Sequence, residues 1–192
     1  MGSTLKGNDV LTLRTDTDGL LNNMVVTATA DGGVKGYLSN PSADVPLRDD
    51  GKSNVGALVG RGTMKIIKDM GLKEPYVGIS TVDTGEIAQD LAYYFYNSEQ
   101  TPTVIALGVK LKDANTVACA GGYMLQLLPD AEDEFITALE NKIQAIRPMT
   151  ELMMGGMDLE RILKLLYEDM NSEDNEKLVE SYEKKEKKEV SY

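Results

Sequence analysis

The hydrophobic pattern of this chain changes from mainly strand-like to helical at Pro129, and that change limits the folds available to it. Before Pro129, apolar residues mostly alternate with polar ones over short runs, as in strands that bury one face. After it, apolar residues recur every three or four positions, the spacing of an amphipathic helix. Asp130 and Asp158 precede two such helical runs and are their predicted N-caps. Strands come first and helices last, so the sequence predicts an α+β fold rather than an alternating βαβ fold.

The individual strands are predicted from alternation and from turn residues. Leu11 and Leu13 alternate in the first strand, and the Asp-Gly-Gly sequence at 31–33 is a favourable hairpin turn between strands over 20–30 and 34–39. A loop with one short helical turn is predicted for the glycine- and proline-containing stretch after it. That loop covers 40–62 with its turn at 55–59, and further strands are predicted at 64–68, 76–82, 104–111, 116–120 and 123–128.

One helix interrupts the strands, at residues 85–98. Ile87, Leu91 and Phe95 fall on one face of it, and its second half is apolar almost all round. We therefore expect this helix to be enclosed by other layers, as part of the core and without a chemical role. Thr84 is its predicted N-cap.

Composition excludes several classes of function. A net charge of −11 argues against nucleic acid or an anionic membrane as a partner, because both require a basic surface. The chain has one cysteine, no histidine, no apolar run of membrane-spanning length and no signal-peptide pattern. We therefore expect a cytoplasmic protein without a membrane partner, and the lack of histidine disfavours most enzyme mechanisms.

Five short motifs have a structural and a chemical interpretation. Gly51-Lys52-Ser53 lacks the leading glycine of a phosphate-binding loop and is interpreted as a turn, and the glycines of 56–62 fit turns better than a ligand loop. Cys119 lies in an apolar, strand-like setting that favours packing over nucleophilic chemistry. Glu99 and Gln100 are explained equally well as the polar end of a helix before a proline and as an acid and an amide in a functional site. The methionines of 149–157 favour core filling, with an adaptable binding surface as the alternative.

Several longer sequence motifs resemble those of the bacterial 33 kDa heat-shock chaperone family, and they occur in the same order as in that family. The resemblance runs from about Leu5 through a predicted helix at 158–169, and so covers most of the chain. These motifs include Lys6-Gly7-Asn8-Asp9, Lys35-Gly36-Tyr37, Pro75-Tyr76-Val77-Gly78, Gly85-Glu86-Ile87-Ala88, Tyr93-Tyr94-Phe95, Ser98-Glu99-Gln100-Thr101-Pro102 and Ala120-Gly121-Gly122.

The resemblance implies a core domain of two β layers around buried helices, then amphipathic linker helices, then a module whose four cysteines bind zinc. On that basis we expect a core domain at 1–130 with its N-terminal segment missing, and a helical linker at 131–170. Residues 171–192 would be a charged tail that leads to a zinc module absent from this sequence. No cofactor is therefore expected in this chain, and zinc only in full-length relatives.

The function implied by the resemblance is that of an ATP-independent holdase, redox-regulated through the zinc and cysteine module of full-length relatives. Its partners would be unfolded or partly unfolded client proteins, and a homodimer or other self-association is expected. We hypothesise that apolar residues of the amphipathic helices cover or share the client-binding surface. They are Phe135, Leu139, Leu152, Met153, Leu159, Ile162, Leu163 and Leu166.

Two other classes of function stay open at the level of sequence. A nonchaperone protein-interaction or assembly domain would have the same α+β core and acidic surface. A small-molecule enzyme ranks last, because the sequence shows no convergent nucleophile and base.

Overall fold

Five antiparallel strands form the main sheet, in the order β3-β2-β1-β4-β5. In this computed structural model, which describes residues 1–113, 116–127, 131 and 133–167, a short 3-10 turn at Gly2–Thr4 precedes the sheet. The strands are β1 (Val10–Thr17), β2 (Asn23–Thr29), β3 (Val34–Leu38), β4 (Gly62–Asp69) and β5 (Tyr76–Val82).

The hairpin turns of this sheet follow the predicted residues. Gly32 has a φ of 89°, and the carboxylate of Asp31 accepts a hydrogen bond from the Gly33 N–H, so the predicted Asp-Gly-Gly turn between β2 and β3 is confirmed. Strand β2 begins later than expected, because the chain turns before it: Asn22 has a φ of 56°, a left-handed conformation that ends the turn.

The main core lies on one face of the sheet. Leu11 and Leu13 of β1 are buried, as their alternation predicted, and Met64 and Ile66 of β4 lie beside them. Helix α1 (Val55–Val59) contributes Val59, and helix α2 (Ile87–Ser98) contributes the aromatic and aliphatic residues Leu91, Tyr94 and Phe95. Each fully buried Leu or Ile side chain stabilises the fold by about 1.5–3 kcal/mol.

Helix α2 corrects two of the sequence predictions. Its N-cap position is Glu86, whereas Thr84 lies two residues earlier and accepts a hydrogen bond from the Glu86 N–H at 3.0 Å. The helix is covered on one side only, since Tyr93 and Tyr96 are 52% and 65% exposed. Tyrosine combines an apolar ring with a polar hydroxyl, so a tyrosine-rich face does not require an enclosing layer.

A long hairpin follows α2 and forms a separate two-stranded sheet. It consists of β6 (Thr103–Asp113) and β7 (Thr116–Gln126), and the connection is too short for anything but antiparallel pairing. The glycines at 121–122 lie inside β7, so the two strands predicted on either side of them are one continuous strand.

Three helices complete the described part of the chain: α3 (Asp133–Ala145), α4 (Met149–Met154) and α5 (Leu159–Tyr167). The carboxylate of Asp158 accepts a hydrogen bond from the Arg161 N–H at 2.8 Å, which confirms its predicted role as a helix cap. The cap predicted at Asp130 and the charged tail 171–192 lie outside the described residues. Within that part of the chain, no helix combines the length and apolar character needed to cross a membrane.

The predicted α+β fold, with strands before helices, is confirmed by this element order. The chain divides into two compact units: Met1–Leu107 with Tyr123–Gln126, and Gly108–Gly122 with the residues from Leu127 onward. The first unit contains the five-stranded sheet with α1 and α2. The described part of the second contains the far half of the hairpin and helices α3 to α5.

Candidate functional site

A polar cluster at the end of α2 contains Tyr94, the ionisable group with the largest pKa shift among the described residues. The Tyr94 hydroxyl donates to the Glu99 carboxylate at 2.5 Å, and the Lys68 ammonium donates to the same oxygen at 2.7 Å. The Lys68 Nζ also lies 5.5 Å from the centre of the Tyr76 ring. Strand β4 supplies the lysine and α2 the tyrosine, so the cluster ties the helix to the sheet.

Burial and hydrogen bonding set the electrostatics of this cluster. Burial opposes ionisation of Glu99, but the hydrogen bonds from Lys68 and Tyr94 outweigh it and lower the pKa of the carboxyl. Burial, together with the Glu99 carboxylate, raises the pKa of the Tyr94 hydroxyl well above its usual range. The carboxylate is therefore a paired anion held in place, which supports the structural interpretation of Glu99 over a role as a catalytic acid.

The glycine-containing loops are explained by backbone packing. A Cβ at Gly56 would lie 3.0 Å from the Thr84 carbonyl oxygen, and one at Gly85, whose φ is 71°, would lie 2.6 Å from the Gly56 carbonyl oxygen. The segment 48–52 closes on itself through the Arg48 and Gly51 N–H groups, which confirms the predicted turn. These glycines allow close approach of chain to chain.

The residues present do not fit a zinc ion. A structural zinc site needs four nitrogen or sulfur ligands, and this sequence has one cysteine and no histidine. Cys119 is half-buried, and its Sγ lies 3.9 Å from the Thr150 carbonyl oxygen. Across residues 1–113, 116–127, 131 and 133–167, no group of three or more potential ligands converges.

Apolar side chains on the open side of the main sheet form the first candidate binding surface. This surface, the outer sheet face, includes Val77 and Ile79 of β5 and Tyr37 of β3, which are 48%, 58% and 61% exposed. Cross-strand register places Ile79 beside Lys65 and Val77 beside Ile67, so cationic and apolar side chains share the face. Its position opposite the core leaves it open to a protein partner.

A second apolar surface lies on the β6–β7 hairpin. Leu107, Val109 and Leu111 occupy alternate positions of β6, point to the same side of the strand and are about half exposed. Sequence alternation was visible at both surfaces, at 77–79 and 107–111. Alternation alone does not say which face a neighbouring element covers, so sequence reasoning missed both.

The eight helical residues proposed from sequence occupy three different environments. Buried positions are taken by Leu139 of α3, Leu152 of α4, and Ile162 and Leu166 of α5, and helices α3 and α5 pack against each other. Only Leu159, at 44% exposure, is open to solvent. The remaining three are partly buried: Phe135, Met153 and Leu163.

Comparisons with known proteins agree with one another. A family model described as "Hsp33 protein" matches residues 1–190. The 33 kDa chaperonin of Clostridium botulinum (strain Loch Maree / Type A3) is 41% identical over 184 residues, which is 95% of this chain and 62% of that protein. The 33 kDa chaperonin of Lachnoclostridium phytofermentans is 48% identical over 167 residues, or 86% of this chain and 57% of that protein.

A solved structure is similar in fold. The crystal structure of the 33 kDa chaperonin from Thermotoga maritima superposes with a TM-score of 0.82 at 30% sequence identity, covering 89% of this chain and 59% of that one. The chain thus spans about three fifths of the length of the relatives that it matches.

Proposed function

The chain belongs to the Hsp33 family, and on that premise we propose that it is the protein-binding part of a chaperone. Relatives that match nearly the whole chain are named 33 kDa chaperonins. The structural observation that carries the proposal is the outer sheet face, whose apolar side chains remain exposed although the opposite face of the same sheet forms the core.

Binding of unfolding proteins suits such a face physically. Val77, Ile79 and Tyr37 offer apolar area without a deep pocket, which favours many sequences over one ligand. The basic residues Arg14 and Lys65, directly opposite each other on neighbouring strands, keep the face hydrated. Each client side chain buried there would contribute about 1.5–3 kcal/mol at most, because ordering of the client opposes it.

The helical residues would add to this surface only when the helices separate. Ile162 and Leu166 are fully buried and reach a client only if α5 leaves its neighbours, whereas Leu159 is exposed already. We therefore propose two parts of the client surface: an outer sheet face available at once, and a helical part, 131–170, that opens. That segment would act as a linker after a core domain at 1–130.

Further properties of the proposed activity come from the family resemblance. The chain would hold clients without ATP, act in the cytoplasm as a homodimer, and catalyse no reaction. Redox regulation would require the cysteine and zinc module of full-length relatives, for which the residues of this chain are not suited.

The test is suppression of aggregation of a thermally unfolding client, measured by light scattering at increasing concentrations of the chain. We expect the paired substitution Val77→Ser and Ile79→Ser to raise the concentration needed for half-suppression about tenfold, the change that 1.4 kcal/mol of lost binding produces. Added ATP should change nothing.

The matched control is Leu47→Ser, which removes an equally exposed side chain, 64% exposed, from a loop. It should suppress aggregation as the unsubstituted chain does. Equal losses from the control and the paired variant would argue against a specific face, and absence of suppression by the chain itself would favour an interaction or assembly domain.

A further inference from the structure

Two cations lie side by side in the middle of the outer sheet face. Arg14 of β1 and Lys65 of β4 are directly opposite each other in the antiparallel register, and both are exposed. Like charges in such a pair repel each other, because directly opposite Cβ atoms are only about 4.5–5.5 Å apart. A local conflict of this kind, which lowers folding stability, is typical of a functional surface.

Neither cation is neutralised by the part of the chain that the structure describes. Across residues 1–113, 116–127, 131 and 133–167, no carboxylate forms an ion pair with Arg14 or Lys65, although Asp16 follows on the same face of β1. Acidic residues outnumber basic ones in this chain by 31 to 20, so two neighbouring cations without an acidic partner are unexpected. They form a local positive patch that attracts an anion.

Apolar side chains stand on both sides of the two cations, in one row across the sheet. The register continues from Arg14 to Val25 of β2 and Tyr37 of β3, and from Lys65 to Ile79 of β5. Residues directly opposite each other share a face, so the whole row lies on the outer sheet face. Tyr37 and Ile79 lie on the two edge strands and are more than half exposed. The row is therefore apolar at both ends and cationic at its centre.

The length of this row sets the size of a partner that could cover it. Neighbouring strands lie about 4.8 Å apart, so about 19 Å separate Tyr37 of β3 from Ile79 of β5. An extended segment covers that distance with about six residues, and an α-helix with about thirteen. A segment with acidic residues in the middle and apolar residues at both ends would match the whole row.

We propose that the outer sheet face selects client segments in which acidic residues are flanked by apolar ones. Carboxylates of the client would pair with Arg14 and Lys65 and remove the repulsion between them. Its apolar side chains would contact Tyr37 and Ile79. This inference rests on the proposed function, because the partner is an unfolding protein, and it adds which segments of that protein bind.

A nucleic acid is the other anion that a basic sheet face with an exposed tyrosine brings to mind, and the residues favour a peptide. Nucleic-acid affinity comes from neutralising many phosphates. The exposed cations of this row and the next are Arg14, Lys65 and Lys35, whereas Asp16 on the same face would repel phosphate. The exposed aliphatic side chain of Ile79 suits an apolar client residue.

The experiment measures the affinity of the full chain for three labelled peptides by fluorescence anisotropy. The peptides share the same apolar residues and differ only at two central positions, which are glutamate, glutamine or lysine. We expect the glutamate peptide to bind about tenfold more tightly than the glutamine peptide, as two exposed ion pairs allow, and the lysine peptide to bind most weakly. Salt at about 1 M, where the Debye length is about 3 Å, should remove most of this preference.

Reversing the two charges tests the residues themselves. Arg14→Glu combined with Lys65→Glu should make the lysine peptide the tightest of the three, and this binding would also show that the variant is folded. The matched control is Lys6→Glu combined with Lys73→Glu, which changes the net charge equally at two exposed lysines outside the strands. It should keep the original order of affinities.

Each other outcome counts against the selectivity. Equal affinities for the three peptides, no binding of any of them, or an unchanged order after charge reversal would overturn it. Tighter binding of a short single-stranded RNA than of the glutamate peptide would overturn it in favour of a nucleic-acid surface. The aggregation assay decides the proposed function separately. Equal affinities with intact suppression of aggregation refute only the selectivity, whereas a clear preference for the glutamate peptide without suppression refutes only the chaperone function.

Discussion

At the scale of single residues, Gly78 and Glu99 show how side chains position α2. Gly78 lies in β5 under the Tyr94 ring, where a Cβ would lie 2.7 Å from the hydroxyl oxygen and 2.8 Å from Cε2. The Tyr94 ring occupies the space that a side chain at position 78 would need, and its hydroxyl donates to Glu99. The position of Tyr94 thus depends on two residues. Gly78 leaves room for its ring, and the Glu99 carboxylate accepts a hydrogen bond from its hydroxyl.

Replacing Gly78 with alanine should therefore destabilise the protein. We expect a loss of about 1–3 kcal/mol in the free energy of unfolding, because the added methyl displaces a fully buried ring. Gly36→Ala in β3 is the control, since nothing lies within 4 Å of its Cβ position. Urea titrations of both variants measure the difference, and equal effects would contradict the steric argument.

The Glu99 carboxylate should contribute stability that depends on pH. Its folded-state pKa lies below its ordinary value of 4.5, so the contribution is complete above that pH and is lost as the pH falls through the folded-state pKa. Glu99→Gln should cost about 1–2 kcal/mol at pH 7, as a partly buried charged hydrogen bond does.

Unfolding measured between pH 7 and pH 3 checks this dependence. The difference between the unsubstituted chain and Glu99→Gln should shrink below pH 4.5. The control is Glu160→Gln at the exposed pair with Lys164 of α5, which should change stability by under about 0.5 kcal/mol. A difference that stays constant with pH would mean that Glu99 acts through packing alone.

At the scale of elements, the helices after the sheet are amphipathic and bury one face each. In α5, Ile162 and Leu166 are fully buried and one turn apart, while Leu159 and Leu165 lie toward solvent. Helices this short gain most of their stability from packing, so the buried face decides whether α5 is helical.

Shortening a buried side chain of α5 should destabilise the helix and increase its local opening. Ile162→Ala removes a buried side chain and should cost about 2–5 kcal/mol in local stability, whereas Leu159→Ala at the exposed position should cost under about 1 kcal/mol. Amide exchange over 159–166 measures both. Similar exchange in the two variants would show that α5 is not held by its buried face.

At the scale of the whole molecule, the two units are built differently. The first has a five-stranded sheet with a large cluster of buried side chains on one face, and its central strand β1 is paired on both sides. The described part of the second has only the far half of a two-stranded hairpin, and its helices are short. Two-stranded sheets and short helices are marginal by themselves.

Hydrogen exchange of the full chain should reflect this construction. Amides of β1 and β4 should exchange slowest, with protection that matches global unfolding, and those of α4 and α5 should exchange at least about tenfold faster through local opening. Denaturant dependence of exchange distinguishes the two routes. Uniform protection across both units would contradict separate local opening.

The sequence by itself determined the order of strands and helices, the hairpin turns, the cap at Asp158 and the family, because each depends on residues close together in the chain. Only the tertiary structure decided which alternating face is covered, since the outer sheet face and the core face have similar periodicity. The tertiary structure also decided three contacts between residues that are distant in sequence. These are Glu99 with Lys68, Gly78 with Tyr94, and Met153 with Gly121. Local patterns specify local structure, whereas burial depends on what packs from elsewhere.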